Sequence, residues 1–289
     1  MDIKNVMVVG CGTMGAGIVQ VCAQSGLQVI MTDVSRNILD KAIENISWSV
    51  GKLAAKGKLA DDKDTVMGRI TASDNYEQGA DVDLVIEAVF ESLEVKKEVF
   101  SNLERVVNHE TILASNTSAI PISAIGGGLR YPDRFLGLHF FNPVPMLDAV
   151  EVVKGISTSE ETMAAGVGFI NFIGKQPIRV DTDIAGFILN RCNMLTNLEA
   201  FRLVEQKVAT PEDIDTGFRL AFGRKMGPLE TSDLVGLDVQ LMAYTNVYQE
   251  EKDPRFYPPS ILRRKVEAGH LGRKTGKGWY KYDEKGTRV

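Results

Sequence analysis

The sequence is poor in cysteine, the residue that forms disulfide bonds and many zinc sites. It has three cysteines, Cys11, Cys22 and Cys192, and their odd number and isolation give neither a disulfide framework nor a Cys/His zinc pattern. Such scarcity is typical of a reducing compartment. No apolar run approaches the ~18 residues of a membrane span, and glycine breaks the first hydrophobic run too early for a signal peptide. We therefore predict a cytoplasmic protein with no membrane partner and no metal.

The sequence also lacks a large net charge of either sign. The formal net charge is −5 in 289 residues, so nothing attracts nucleic acid in bulk, and the expected partner is a small molecule. With 44% hydrophobic residues the chain has ample material for a packed core. Because single cores tend to stop growing near ~250 residues, the length favours one large and one small domain.

Short β-branched runs alternate with helical stretches over the first two thirds of the chain. This alternation predicts an α/β domain with a largely parallel sheet over residues 1–183. Helical apolar periodicity then predicts a smaller all-helical domain over 184–289, whose tail from Asp253 is expected to be a surface arm with short helices. The predicted strands lie at 6–10, 28–33, 69–73, 83–89, 111–115, 135–140, 150–154 and 176–180.

A glycine-rich turn follows the first predicted strand. The stretch VMVVGCGTMGAG places Gly10, Gly12 and Gly15 in a GxGxxG pattern that opens a helix. The first glycine permits a tight turn, the second lets the backbone approach a pyrophosphate, and the third lets helix pack on strand. We predict that this turn, with Thr13 and Met14, binds the phosphates of a dinucleotide.

An acid follows the second predicted strand. Asp33 lies 18 residues after Gly15, where a carboxylate accepts hydrogen bonds from ribose hydroxyls and repels a 2′-phosphate. The expected cofactor is therefore NAD, bound to a Rossmann-like domain. Arg36 is the neighbouring residue that would soften the preference against NADP.

The first crossover is oversized and predicts a helical-hairpin insertion. It spans about 35 residues, whereas ~10–12 suffice, and its pattern predicts a long helix, a break at Gly57 and a second helix from near Asp61. Ser49, Lys52 and Lys56 share one face of the first helix. They form either a site for substrate phosphates or an ordinary solvated face.

Two titratable residues occur in apolar strands near the end of the sheet. His139, in GLHFFNP, lies near the carboxyl end of its strand, the edge at which open α/β sheets bind ligands. Imidazole suits reversible proton exchange with a hydroxyl, the partner reaction of hydride transfer. Glu151 in the next strand would fix the imidazole tautomer. The alternatives are a core histidine bonded to backbone and a glutamate at the strand surface.

Two further polar groups are candidates for substrate contact. Ser118, in the SNTS stretch, follows another strand and offers a hydroxyl at the same sheet edge, although serine is also an ordinary turn residue. Asn190 begins an amide stripe in the first helix of the second domain, and buried amides need partners. A hydrogen bond between domains explains Asn190 equally well.

Together GCGTMGAGI, ASNTSAI, GLHFFNPVP, VEVV, GFILNR and GRKTGKGWYKY resemble the (S)-3-hydroxyacyl-CoA dehydrogenase family over nearly the whole chain. The length is similar to that of its small members that act on 3-hydroxybutyryl-CoA in fatty-acid or butanoate metabolism. The resemblance implies a Rossmann-like domain followed by a helical domain that forms a homodimer. It also implies that His139 is the catalytic base, that Glu151 is its partner, and that Ser118 and Asn190 hydrogen-bond the substrate.

The resemblance assigns further contacts along the chain. By matching positions in the family, Glu91, Lys96 and Asn142, together with Ser118, are expected near the nicotinamide end of NAD. Coenzyme A contacts are expected at Ser49 and Lys56, which favours phosphate binding over a solvated face.

Two other functions agree with the sequence. One is an NAD-dependent dehydrogenase of a hydroxy acid or sugar acid without coenzyme A. The other is an NAD-binding protein without catalysis. Activity on an acyl-CoA distinguishes both from the first interpretation.

Overall fold

The computed structural model describes residues 3–289, so Met1 and Asp2, the first two residues of the predicted domain 1–183, lie outside the described part of the chain. Two compact units are present, one ending at Phe187 and the other spanning Ile188–Val289. The boundary after residue 183 stays a prediction. Across residues 3–289, no helix combines the length and apolar character needed to cross a membrane.

The first unit is built on one eight-stranded sheet with the order β3-β2-β1-β4-β5-β6-β7-β8. All neighbouring strands are parallel except β6 and β7, which form an antiparallel pair. The predicted α/β fold with a largely parallel sheet is therefore confirmed. The strands are β1 Asn5–Val9, β2 Gln28–Thr32, β3 Ile70–Ser73, β4 Leu84–Glu87, β5 Ile112–Ser115, β6 Phe135–Phe140, β7 Ala149–Val153 and β8 Gln176–Val180.

Helices cover both faces of this sheet, which is why its central strands are apolar throughout. One core lies between the sheet and α1, α2, α3 and α6, and a second lies between the sheet, α4 and α5. The helices of this unit are α1 Thr13–Gln24, α2 Arg36–Ala55, α3 Lys63–Gly68, α4 Leu93–Leu103, α5 Ile122–Gly126 and α6 Glu160–Phe172.

The predicted helical hairpin in the first crossover is present. Helix α2 runs for 20 residues and buries one apolar stripe that includes Leu39 and Ile46. Gly57 then adopts a φ of +63°, a conformation that glycine reaches without steric strain. Asp62 caps α3 by accepting a hydrogen bond from the Thr65 N–H.

The second unit is helical, as predicted, with isolated β-bridges in its last part. An amphipathic pattern, a Thr210 N-cap and a left-handed Gly223 define the bounds of α8, in agreement with ordinary start and stop signals. The helices are α7 Leu189–Glu205, α8 Pro211–Phe222, α9 Pro228–Val235, α10 Leu237–Glu251 and α11 Ser260–Glu267.

The tail of the second unit is not the surface arm that we predicted. Trp279, Tyr280 and Tyr282 are buried, and Asp233 accepts hydrogen bonds from the Trp279 and Tyr280 amides (2.9 Å each) and the Tyr282 hydroxyl (3.0 Å). A Cβ at Gly278 would lie 2.0 Å from Asp233 Oδ1. The prediction failed because the glycines and lysines around these aromatic residues resemble a solvated segment.

Candidate active site

The glycine turn between β1 and α1 has the close contacts that its pattern predicts. Gly10 has a φ of +90°, and a Cβ there would lie 2.7 Å from the Ala88 carbonyl. A Cβ at Gly15 would lie 1.7 Å from Gly10 O, whereas one at Gly12 would meet no described atom within 4 Å. Two of the glycines are therefore required by protein contacts, and Gly12 leaves open space beside the backbone.

That open space adjoins the amino terminus of α1. Within residues 3–289, no side chain caps this terminus, so its N–H groups and the helix dipole favour an anion. Thr13 and Met14 begin the helix. A cavity of about 740 Å³ opens here, lined by Val9, Gly10, Gly12, Thr13, Met14, Thr32, Asp33, Val34, Ile38, Asp74, Asn75, Tyr76, Ala88, Val89, Phe90, Val95 and Val99.

Asp33 lies in the wall of this cavity, directly after β2. Its Oδ2 accepts a hydrogen bond from the Cys11 N–H at 2.8 Å, which orients the carboxylate beside the glycine turn. Burial, reinforced by the charge of Asp33, raises the pKa of the Cys11 thiol to about 12, so Cys11 stays neutral. Arg36 pairs with Asp40 (Nε–Oδ1 3.1 Å) on the exposed surface of α2.

The antiparallel pair of β6 and β7 brings two titratable side chains together. His139 and Glu151 are direct partners in the register, and Nδ1 of His139 lies 2.6 Å from Oε2 of Glu151. The two residues are 4% and 0% exposed. A carboxylate at Nδ1 favours the tautomer with its proton on that nitrogen, which leaves the Nε2 lone pair as a base.

Two aromatic rings surround the imidazole of His139. Its ring centroid lies 4.5 Å from that of Phe141 and 5.6 Å from that of Phe187. These contacts, with the bond to Glu151, restrict the ring to one orientation. The pair therefore forms an oriented, desolvated proton acceptor at the carboxyl end of β6.

Ser118 lies in the loop that follows β5, and β5 is the neighbour of β6 in the sheet. Its N–H donates to Glu91 Oε1 at 3.0 Å, so Glu91 holds the backbone of this loop. The ammonium of Lys96 lies 2.7 Å from Glu87 and 3.1 Å from Glu91, and Lys96 is 1% exposed. Lys96 is thus buried between two carboxylates.

Glu87 is the polar residue of this region that the sequence analysis missed. It is fully buried at the end of β4. The available signal was an acid inside the apolar run DLVIEAV, the same signal that identified Glu151.

The other predicted residues are distributed as follows. Asn142 is exposed in the loop after β6. Ser49 and Lys52 lie on α2, with the Lys52 ammonium 3.7 Å from the centroid of the Trp48 ring, and Lys56 is the C-cap of that helix. Asn190 belongs to the first turn of α7 in the second unit.

The fold, the glycine turn and the acid after β2 define a Rossmann-type dinucleotide-binding protein. Two family models match the chain: "3-hydroxyacyl-CoA dehydrogenase, NAD binding domain" over residues 5–184 and "3-hydroxyacyl-CoA dehydrogenase, C-terminal domain" over residues 186–282. The chain belongs to the 3-hydroxyacyl-CoA dehydrogenase family. The predictions of an enzyme and of NAD as its cofactor are thereby confirmed.

Relatives and solved structures are similar over the full length. A "Probable 3-hydroxybutyryl-CoA dehydrogenase" of Deinococcus radiodurans is 43% identical, with 95% of this chain and 99% of the relative covered. A 3-hydroxybutyryl-CoA dehydrogenase of Mycobacterium tuberculosis is 40% identical, with 97% and 99% covered. The crystal structure of the (S)-3-hydroxybutyryl-CoA dehydrogenase of Ralstonia eutropha has a TM-score of 0.94 at 39% identity, with 98% of this chain and 100% of that chain covered.

Proposed function

We propose that the protein interconverts (S)-3-hydroxybutyryl-CoA and acetoacetyl-CoA with NAD, in fatty-acid or butanoate metabolism. The observation that carries the proposal is the buried pair of His139 and Glu151, 2.6 Å apart at the carboxyl end of β6. The names of the similar dehydrogenases supply the substrate. We propose homodimerisation and a cytoplasmic location on the resemblance and the composition alone.

In the proposed reaction His139 exchanges a proton with the substrate oxygen at C3. In the oxidative direction Nε2 removes the hydroxyl proton, and the resulting imidazolium is stabilised by Glu151 through Nδ1–H. Bound NAD supplies the hydride acceptor for C3. In the reductive direction His139 returns the proton to the developing alkoxide, while Ser118 and Asn190 hydrogen-bond the substrate.

The residues around the cavity bind the cofactor and take no part in proton transfer. Gly10, Gly12 and Gly15, with Thr13 and Met14, form the cradle for the cofactor phosphates. Asp33 accepts hydrogen bonds from the adenosine ribose. We propose Glu91, Lys96, Ser118 and Asn142 for the nicotinamide end, Glu91 and Lys96 acting by holding the loop that carries Ser118.

The activity itself is tested with acetoacetyl-CoA and each reduced cofactor. We expect rapid loss of NADH absorbance in the near ultraviolet and little loss of NADPH, because a 2′-phosphate would meet Asp33 and Asp74, which both line the cavity. Absence of turnover by a protein that still binds NADH would contradict the proposal. Turnover of a free hydroxy acid would then favour an NAD-dependent dehydrogenase whose substrate carries no coenzyme A. Inactivity on all hydroxy acids would favour an NAD-binding protein without catalysis.

Coenzyme A recognition is tested on the exposed face of α2. Lys52→Glu combined with Lys56→Glu should raise the KM for acetoacetyl-CoA by roughly 3–10-fold, since exposed ion pairs contribute little individually and the substitution also introduces repulsion. The KM for acetoacetyl-pantetheine, which lacks the nucleotide phosphates, should stay unchanged.

The matched control for charge is Lys281→Glu with Lys285→Glu, two exposed positions of the second unit. It changes the net charge equally and should leave both KM values unaltered. An unchanged KM for acetoacetyl-CoA in the α2 variant would show that this helix does not bind coenzyme A. It would favour a substrate that carries no coenzyme A.

A further inference from the structure

Another buried carboxylate lies at the carboxyl end of β4, outside the His139 and Glu151 pair. Glu87 is 0% exposed. Its Oε1 accepts hydrogen bonds from the Val89 N–H and the Lys96 ammonium, and its Oε2 accepts one from the Ser115 hydroxyl, each at 2.7 Å. Because a buried carboxylate is tolerated only when it is paired, these three donors hold it in one place.

The cation in this network links Glu87 to a second carboxylate. The Lys96 ammonium lies 2.7 Å from Glu87 Oε1 and 3.1 Å from Glu91 Oε2. Burial opposes ionisation of Glu91, yet Lys96 and nearby donors outweigh it and hold the pKa of this carboxyl below its ordinary value. One buried ammonium therefore fixes the positions of two carboxylates.

Glu91 in turn holds the loop that contains the proposed substrate hydroxyl. Its Oε1 accepts from the Thr117 hydroxyl at 2.5 Å, the Ser118 N–H at 3.0 Å and the Ala119 N–H at 3.2 Å. A second route reaches the same loop, because the Ser115 hydroxyl that donates to Glu87 also accepts from the Thr117 N–H at 3.2 Å.

A third connection runs from Glu87 to the strand of the catalytic histidine. The Glu87 carbonyl accepts from the Asn116 N–H at 2.8 Å, and Asn116 Oδ1 accepts from the Phe140 N–H at 2.9 Å. Phe140 follows His139 directly. This connection joins the carboxyl ends of β4, β5 and β6, and it is made by the backbone of residue 87, not by its carboxylate.

We propose that the Glu87 carboxylate is a positioning group of the active site, which through Lys96, Glu91 and Ser115 fixes the loop that carries Ser118. The inference rests on the proposed function in one respect, namely that Ser118 contacts the substrate. Glu87 itself touches no reacting group, because it is fully buried. Misplacement of a substrate contact by as little as ~1 Å lowers rates by up to about 10², so such a residue has a measurable kinetic effect.

The first test is Glu87→Gln, which keeps the shape of the side chain but removes its charge and one acceptor. We expect kcat for acetoacetyl-CoA reduction to fall by about 10-fold or more, and the Kd for NADH to rise by a smaller factor, because the glycine turn and Asp33, which line the cofactor cavity, are unaltered. The control is Glu161→Gln, which removes an exposed carboxylate from α6 and should alter neither quantity.

A second readout is independent of substrate. Hydrogen exchange at the Ser118 and Ala119 amides should be faster in Glu87→Gln than in the unaltered protein, because Glu91 holds both amides only while Lys96 keeps it in place. If the unaltered protein fails to reduce acetoacetyl-CoA but Glu87→Gln still loosens these amides, the proposed function fails and the positioning role stands.

A double-mutant cycle separates this role from a general loss of structure. Glu87 and Glu91 form the ion pairs with Lys96 in the part of the chain that the structure describes. Lys96→Met should lower kcat and speed exchange at the Ser118 and Ala119 amides, as Glu87→Gln does. Adding Glu87→Gln to Lys96→Met should lower kcat by much less than Glu87→Gln does alone, because Glu87 acts through Lys96.

Some outcomes would overturn the inference. Unchanged kcat together with unchanged amide exchange in Glu87→Gln is one, and a fall in kcat that matches only the fraction of unfolded protein is another. If Glu87→Gln does not fold, Glu87→Asp keeps the charge but shortens the side chain by one methylene, so it cannot reach all three donors and should show the same pattern to a smaller degree. Unchanged kcat and exchange in that variant would equally contradict the role of Glu87.

Discussion

Replacing His139 by Gln is expected to lower kcat for acetoacetyl-CoA reduction by about 10²–10⁴, the contribution typical of a general acid or base. Glutamine fills most of the space of the imidazole between Phe141 and Phe187 but has no titratable nitrogen. The Kd for NADH should change by less than about twofold, since the cofactor cavity is lined by the glycine turn and its neighbours. Steady-state loss of NADH absorbance at saturating acetoacetyl-CoA measures kcat, and a fluorescence titration with NADH measures the Kd.

The control is His109→Gln, at an exposed histidine that pairs with Glu110. It should leave kcat and the Kd for NADH unaltered. Turnover by His139→Gln equal to that of the unaltered protein would remove His139 from the reaction and leave the family fold without its proposed base.

Replacing Glu151 by Gln is expected to lower kcat by a comparable factor, about 10²–10⁴. The amide that replaces the carboxylate can donate to Nδ1, which favours the tautomer with the proton on Nε2, the nitrogen that must act as the base. The charge that stabilises the imidazolium is lost as well. Melting temperature should change less than in Glu151→Ala, because Gln keeps a hydrogen-bond partner for the buried ring.

Nitrogen NMR of labelled histidine tests the cause directly. In the unaltered protein Nδ1 of His139 should carry the proton of the neutral ring, and in Glu151→Gln the proton should move to Nε2. A variant that loses kcat while keeping the proton on Nδ1 would show that charge, and not tautomer, is the contribution of Glu151. A variant with full kcat would exclude Glu151 from the reaction.

The sequence predicted the features of the first unit that depend on local pattern. Apolar β-branched runs located every strand within two residues at each end, and β6 and β8 were placed at 135–140 and 176–180, as observed. The glycine turn was recognisable because its spacing reflects steric limits at Gly10 and Gly15. The pairing of His139 with Glu151 was inferred from two titratable residues in adjacent apolar strands, and the structure brings them together.

Features that depend on distant contacts were harder to predict. Lys96 looks like an exposed helical lysine in the sequence, and only the approach of Glu87 and Glu91 makes its burial favourable. Trp279 was assigned to a surface arm because its partner Asp233 is 46 residues away. Neither contact leaves a periodic pattern in the chain, so local reasoning could not find it.

The attachment of residues 279–282 to Asp233 also determines when the second unit can finish folding during synthesis. Strand β8 ends at Val180, so the sheet is complete 102 residues before Tyr282 is made, an interval of about 5–20 s at ~5–20 residues per second. Until Trp279 leaves the ribosome, Asp233 lacks amide donors, and Phe201 lacks the indole stacked on it at 4.8 Å. The surface of the second unit that Trp279 covers, including Phe201, therefore stays exposed until the last part of the chain has been made.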